Sequence, residues 1–259
     1  MTPNSAVFYR GPSELTGDPI MAVLTGLRVR SHNPKTGPML QTWILRSDMT
    51  PMAAVASGAD DAICGTCPLR GSLEARTIHM KHTKQGPSMK FGRACYVPYW
   101  QAPNNVFRGA NDALQLEPAE LAPLVRGRFV RVGSYGDPAA VPFAVWDRAL
   151  AAIAGWTGYT HAWRVCDQRL RDLIMASVES EAGALEAQQL GWRTFRARQG
   201  SIENPHYGLA ENEVICPASN EADHRLTCQQ CGLCRGRAST STKSIATLAH
   251  GRNAAQVPA

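Results

Sequence analysis

Short apolar runs alternate with helical stretches through most of this chain. Met39–Arg46 (MLQTWILR) is rich in β-branched and aromatic residues, carries little charge and reads as a strand. Glu117–Val125 opens on Glu-Pro, a helix start. From Arg128 the rhythm repeats: strand Arg128–Val132, Ala-rich helix Val141–Ala154, strand Trp156–His161, short helix Gln168–Asp172 and strand Leu173–Val178. Helix Glu181–Leu190, strand Trp192–Arg198 and, after an interruption, strand Lys243–Ala249 complete it. Strands separated by helices pair in parallel, so the expected fold is α/β, either a partial β/α barrel or an open parallel sheet.

The remaining segments lack a period. Residues 1–19 carry Pro, Gly, Ser and Asn and read as an irregular lead-in, which makes Ile20–Arg30 the first ordered piece and Ser31–Pro38 a turn. Residues 68–104, rich in Gly, Pro, Lys and His, read as loop around short helical turns. Gln199–Gly236 breaks the β-α rhythm and reads as an insertion. The expected organisation is one α/β domain over 20–252, with cysteine-bearing loops at 60–100 and 199–236 and a frayed tail at 253–259.

Composition narrows the chemistry. A hydrophobic content of 44% in 259 residues supports a real core and excludes wholesale disorder. The net charge of +6 comes from scattered Lys and Arg, which permits a polyanionic partner without specifying one. No run approaches the roughly 20 apolar residues of a membrane span, and no basic segment precedes an apolar one at the N-terminus. The expectation is a cytoplasmic protein with no membrane partner. In that reducing compartment its eight cysteines are better read as metal or cluster ligands than as disulfides.

Four of them form Cys216-x11-Cys228-x2-Cys231-x2-Cys234, with Pro217 after the first. Two consecutive C-x2-C steps place three sulfurs on one tight loop, the arrangement that wraps a 4Fe-4S cluster, with a fourth cysteine completing it. Zinc competes for any four-cysteine set. The neighbours are Gln, Gly, Arg and Thr, which fits poorly with cysteines serving as small hydrophobes. Further upstream, Cys64-x2-Cys67 and Cys95 make a trio. A cluster held by three cysteines leaves one iron open to a substrate or nucleotide-derived cofactor. Cys166, His79 or His82 could supply a fourth ligand instead, and with a histidine the site would be structural zinc.

Beyond the strand at Arg128–Val132 lies Gly133-Ser134-Tyr135-Gly136-Asp137-Pro138. Gly133, Tyr135 and Gly136 are candidate cofactor-binding residues, because glycines at a strand's end let the backbone approach a ligand. Asp137 could bind a hydroxyl or amino group, or simply cap the next helix. His161, in GYTHAW, has a titration range suited to proton transfer. Nucleophile-elbow and P-loop motifs are absent.

NPKTGPM (Asn33–Met39), Cys67-Pro68, Cys95-Tyr96, Gly136-Asp137 and GYTHAW together resemble the cysteine-rich phage proteins grouped as gene product eighty-eight, over roughly residues 33–165. That family is in turn reminiscent of radical S-adenosylmethionine enzymes. The resemblance implies a partial β/α barrel, an open three-cysteine cluster able to bind S-adenosylmethionine, and an auxiliary four-cysteine cluster. Asp137 and His161 would then assist with substrate, and a reductant would serve the clusters. The alternative is a zinc-stabilised nucleic-acid-binding protein without catalytic activity, suggested by a pI near 9.0 and the runs RTFRAR (Arg193–Arg198) and CRGR (Cys234–Arg237).

Overall fold

The computed structural model describes residues 3–71 and 93–249, together with the backbone of a short hairpin, β4 (Lys81–Thr83) and β5 (Gly86–Ser88). The fold is mixed α/β around a ten-stranded, mostly parallel sheet. Its parallel part runs β3 (Leu40–Arg46), β7 (Phe129–Tyr135), β8 (Gly155–Thr160), β9 (Met175–Val178), β10 (Thr194–Arg198), β12 (Ser244–Leu248) and β11 (Glu213–Ile215). On the other side of β3 lie β2 (Pro19–Thr25), β1 (Ser5–Pro12) and β6 (Leu114–Gln115), with β2 antiparallel to both β3 and β1 and β6 parallel to β1.

Among the helices, α4 (Pro118–Val125) starts on a capping box in which Glu117 N–H donates to Glu120 (2.7 Å). In α7 (Glu181–Gln189) the Ser180 hydroxyl accepts from Gly183 N–H (3.1 Å). The remaining longer helices are α1 (Pro51–Ser57), α3 (Ala102–Arg108) and α5 (Phe143–Ala149). Trp146 of α5 is fully buried and meets Phe8 of β1 edge to face, 5.5 Å between centroids.

Several expectations change. The lead-in at 1–19 contains β1, because Ala6, Val7 and Phe8 bury completely in the core despite the polar residues around them. The helix expected over Val141–Ala154 is confined to α5, since Pro142 starts it and the chain turns at Leu150. Strand β7 runs three residues beyond its expected end. It passes a bulge against β3 in which Thr42 donates to Arg131 O (3.1 Å) and accepts from Gly133 N–H (2.8 Å). Within the segment read as an insertion, β11 joins the sheet as an edge strand. The tail at 253–259 and His79 lie outside the described residues; His82 falls on β4, where only the backbone is described. No helix among the described residues is long and apolar enough to cross a membrane.

Candidate metal centre

One face of the parallel strands floors a cavity of about 430 Å³. The alternation of side chains along each strand selects its lining: Arg131, Gly133 and Tyr135 from β7, Thr157 and Tyr159 from β8, Phe195 and Ala197 from β10. Both cysteine sets face this one space. Cys64, Cys67, Cys95, Cys216, Cys228, Cys231 and Cys234 all line it, as do Asp137 and His161. Cys166 does not.

The C-terminal quartet is built mainly from local structure. Cys216 follows β11, and its N–H donates to Ala246 O on β12 (2.8 Å). Cys228–Cys231 forms a single helical turn, α8, that sets two sulfurs three residues apart on one face. Thr227 and Gln230 form its capping box, and Gly232 at φ 60° turns the chain so that Cys234 comes back toward the cavity. Cys234 O accepts from Gly158 N–H (3.1 Å), and the Tyr159 hydroxyl hydrogen-bonds the Cys234 sulfur. The NPKTG turn holds the start of this helix: Cys228 and Gln229 N–H donate to the Lys35 and Thr36 carbonyls (2.8 and 3.2 Å). Burial pushes the Cys216 thiol up to about 11 and Cys234 higher still, so bound metal would have to displace both protons.

The N-terminal trio is assembled from separate pieces. Cys64 ends the short helix α2 (Asp61–Cys64); Cys67 N–H donates to Cys64 O (3.1 Å); Cys95 N–H donates to Leu69 O (2.8 Å). Asp137 N–H donates to Ile63 O (2.6 Å), which fixes this corner at the C-terminal end of β7. Beneath it, the completely buried Asp60 receives Arg70 at 2.6 Å through one oxygen and Arg93 through the other. Arg70 also donates to the Gly58 and Gly65 carbonyls (2.6 and 3.3 Å). The Arg93 guanidinium sits against Cys64 and Cys95, where its charge offsets part of the upward push that burial gives both thiols.

His161 stands between Cys67, to which it hydrogen-bonds, and Glu179, with Nε2 2.7 Å from Oε1. Burial opposes the imidazolium, yet Cys67 and Glu179 outweigh it and hold the His161 pKa well above its ordinary value. Asp137 has both oxygens engaged in scaffolding: Oδ1 accepts from Ala139 N–H (2.9 Å), capping the following turn, and Oδ2 accepts from His161 N–H (2.8 Å). Gly133 and Gly136 have φ of 77° and 80°. A Cβ at Gly136 would lie 2.7 Å from Ile44, and one at Gly133 2.8 Å from Pro138, so neighbouring protein already accounts for both glycines.

Asp60, Arg70, Arg93 and Glu179 escape sequence reasoning, because a charge's partner in space has no signature along the chain. The arginines of RTFRAR point away from the cavity and are buried. Arg193 donates to the Leu233, Gly236 and Lys243 carbonyls (2.7, 2.9 and 2.5 Å), Arg196 pairs with buried Glu213 (2.5 Å), and Arg198 donates to Tyr207 O (2.7 Å). They brace the sheet edge and the α8 loop and are not available to phosphates.

Among the described residues no three His, Cys, Asp or Glu side chains converge as a single metal ion requires. A zinc ion draws all its donors to about 2.0–2.3 Å from one point. Beside the trio, the Tyr135 hydroxyl is buried, faces the cavity and has no hydrogen-bond partner among the described residues. No protein-family model, curated protein or solved structure matches this chain.

Proposed function

We propose that this chain is an iron–sulfur protein, a radical-S-adenosylmethionine-like enzyme with an open cluster on Cys64, Cys67 and Cys95 and an auxiliary cluster on Cys216, Cys228, Cys231 and Cys234. The observation that carries this reading is the single cavity lined by all seven cysteines, recruited from segments far apart in the chain. The parallel strands β3, β7, β8, β9, β10 and β12 lie side by side in chain order, which supports reading this part of the sheet as a partial β/α barrel. The trio sits at the C-terminal ends of β7 and β8, the end at which β/α folds bind ligands.

Clusters bound here supply one-electron chemistry, with an external reductant as the electron source. The chain's own contribution is positional and electrostatic. Arg93 places a positive charge beside the trio, and Asp60, itself anchored by Arg70, holds that arginine in place. Leu69, Val97, Phe195 and Ile245 give the chamber apolar walls that exclude water and strengthen these charges. His161, held by Glu179 and set against Cys67, is the titratable side chain that would assist with substrate beside the trio. Asp137, which lines the same cavity, supports His161 and β8 through the backbone N–H groups that its two oxygens accept.

Purification without oxygen from iron-replete cells tests the proposal. The expected product is brown, absorbs near ~400 nm and carries roughly eight iron atoms per chain if both clusters are of the four-iron type. A change in its paramagnetic resonance spectrum on adding S-adenosylmethionine would report an open iron. Colourless protein with stoichiometric zinc would overturn the proposal in favour of a zinc-stabilised module.

A further inference from the structure

Two tyrosines on adjacent strands, Tyr135 at the end of β7 and Tyr159 near the end of β8, face the cavity, one toward each cysteine set. The Tyr159 hydroxyl meets the sulfur of Cys234. Tyr135 is 3% exposed, its charged and ionisable neighbours include Cys64, Arg93, Asp60 and Cys95, and its hydroxyl has no hydrogen-bond partner among the described residues. A buried phenol left without a partner is costly, and native proteins seldom keep one unless something absent from the polypeptide accepts the bond. Asp60, which receives Arg70 and Arg93, makes no hydrogen bond with that hydroxyl. The sulfurs of a bound cluster are acceptors, and hydrogen bonds to them favour the reduced, more negative state.

We infer that the Tyr135 hydroxyl donates a hydrogen bond to the iron–sulfur centre held by Cys64, Cys67 and Cys95 and raises its reduction potential. This rests on the cluster reading above, and the experiment separates the two. The probe is anaerobically purified protein carrying its own iron, titrated with dithionite under paramagnetic resonance, in wild type, Tyr135→Phe and Tyr159→Phe.

In Tyr135→Phe the iron content should be unchanged, while the reduction equilibrium of the trio centre moves about tenfold toward the oxidised form, ~59 mV for one electron. In deuterated water, a deuteron coupled to that centre in wild type should vanish in the variant. Tyr159→Phe should leave the trio centre's midpoint where it was. Iron-loaded Tyr135→Phe with an unchanged midpoint would overturn the inference and leave the cluster reading standing. Wild-type protein that binds no iron would overturn both. Should Tyr135→Phe fail to fold, wild type alone still decides against the inference if no exchangeable deuteron couples to the trio centre.

Discussion

The two cysteine sets share a cavity but are built on opposite plans. The quartet spans Cys216 to Cys234 and rests on backbone geometry: one capped helical turn, a left-handed glycine and a strand end. The trio gathers Cys64, Cys67 and Cys95 around an ion-pair node in which one buried carboxylate joins two arginines. Local hydrogen bonds tolerate the loss of one member. A buried charge that loses its partner does not, because the remaining charge stays out of water with nothing to offset it. The difference teaches that the quartet should survive perturbation of its frame better than the trio.

Asp60→Ala is the strongest way to break that comparison. It leaves Arg70 and Arg93 without their carboxylate, and metal-free protein should lose about 3–5 kcal/mol in guanidinium unfolding. Iron bound at the trio should be lost while the quartet's absorption persists, and a variant retaining all its iron would show that the node does not hold the trio.

On the quartet side, Glu213→Gln removes the charge facing Arg196 and keeps the side chain's size. A loss of about 2 kcal/mol is expected, as for hydrogen bonds to charged groups, with iron retained. A loss as large as that of Asp60→Ala would erase the contrast. Smaller again is Thr227→Ala, which removes the cap of α8 at about 1 kcal/mol and should speed release of quartet iron to a chelator without touching the trio.

The same contrast governs what the sequence discloses. The quartet is legible because its spacing is local, and β3, β7, β8, β9, β10 and β12 are legible because their apolar runs are continuous and separated by helical stretches. The trio's cysteines can be picked out by residue type, but their meeting depends on Leu69 O receiving Cys95 N–H and on Asp60 reaching Arg93, contacts between segments with no shared period. The NPKTG turn is visible as a motif, yet its role of holding α8 through the Lys35 and Thr36 carbonyls is a meeting of distant parts of the chain. Strand β1 escapes because its buried run, Ala6 to Phe8, is short and set among turn-forming residues. Asp137 shows a limit of residue type as a guide: an acid at a strand's end suggests chemistry, while its two oxygens are bound to backbone N–H groups.

The smallest expected effect is a titration on the quartet side. Glu221 Oε1 accepts from Leu248 N–H (2.7 Å) at the end of β12, the strand whose Ala246 O receives Cys216 N–H. Burial pushes the Glu221 pKa up, but hydrogen bonds from backbone N–H groups, that of Leu248 first, outweigh it and hold the carboxyl below its ordinary value of 4.5. A depressed folded value means that the ionised form stabilises the native state. That contribution is fully present above 4.5 and is lost as pH falls through the lower folded value. Glu221→Gln keeps the shape and removes the titration, so the gap in denaturation midpoint between wild type and variant should be widest near neutral pH and shrink toward zero in acid. Metal-free protein isolates this effect, because protonation of cysteines releases metal from both proteins alike. A gap that stays constant across that range would mean that Glu221 acts through packing alone.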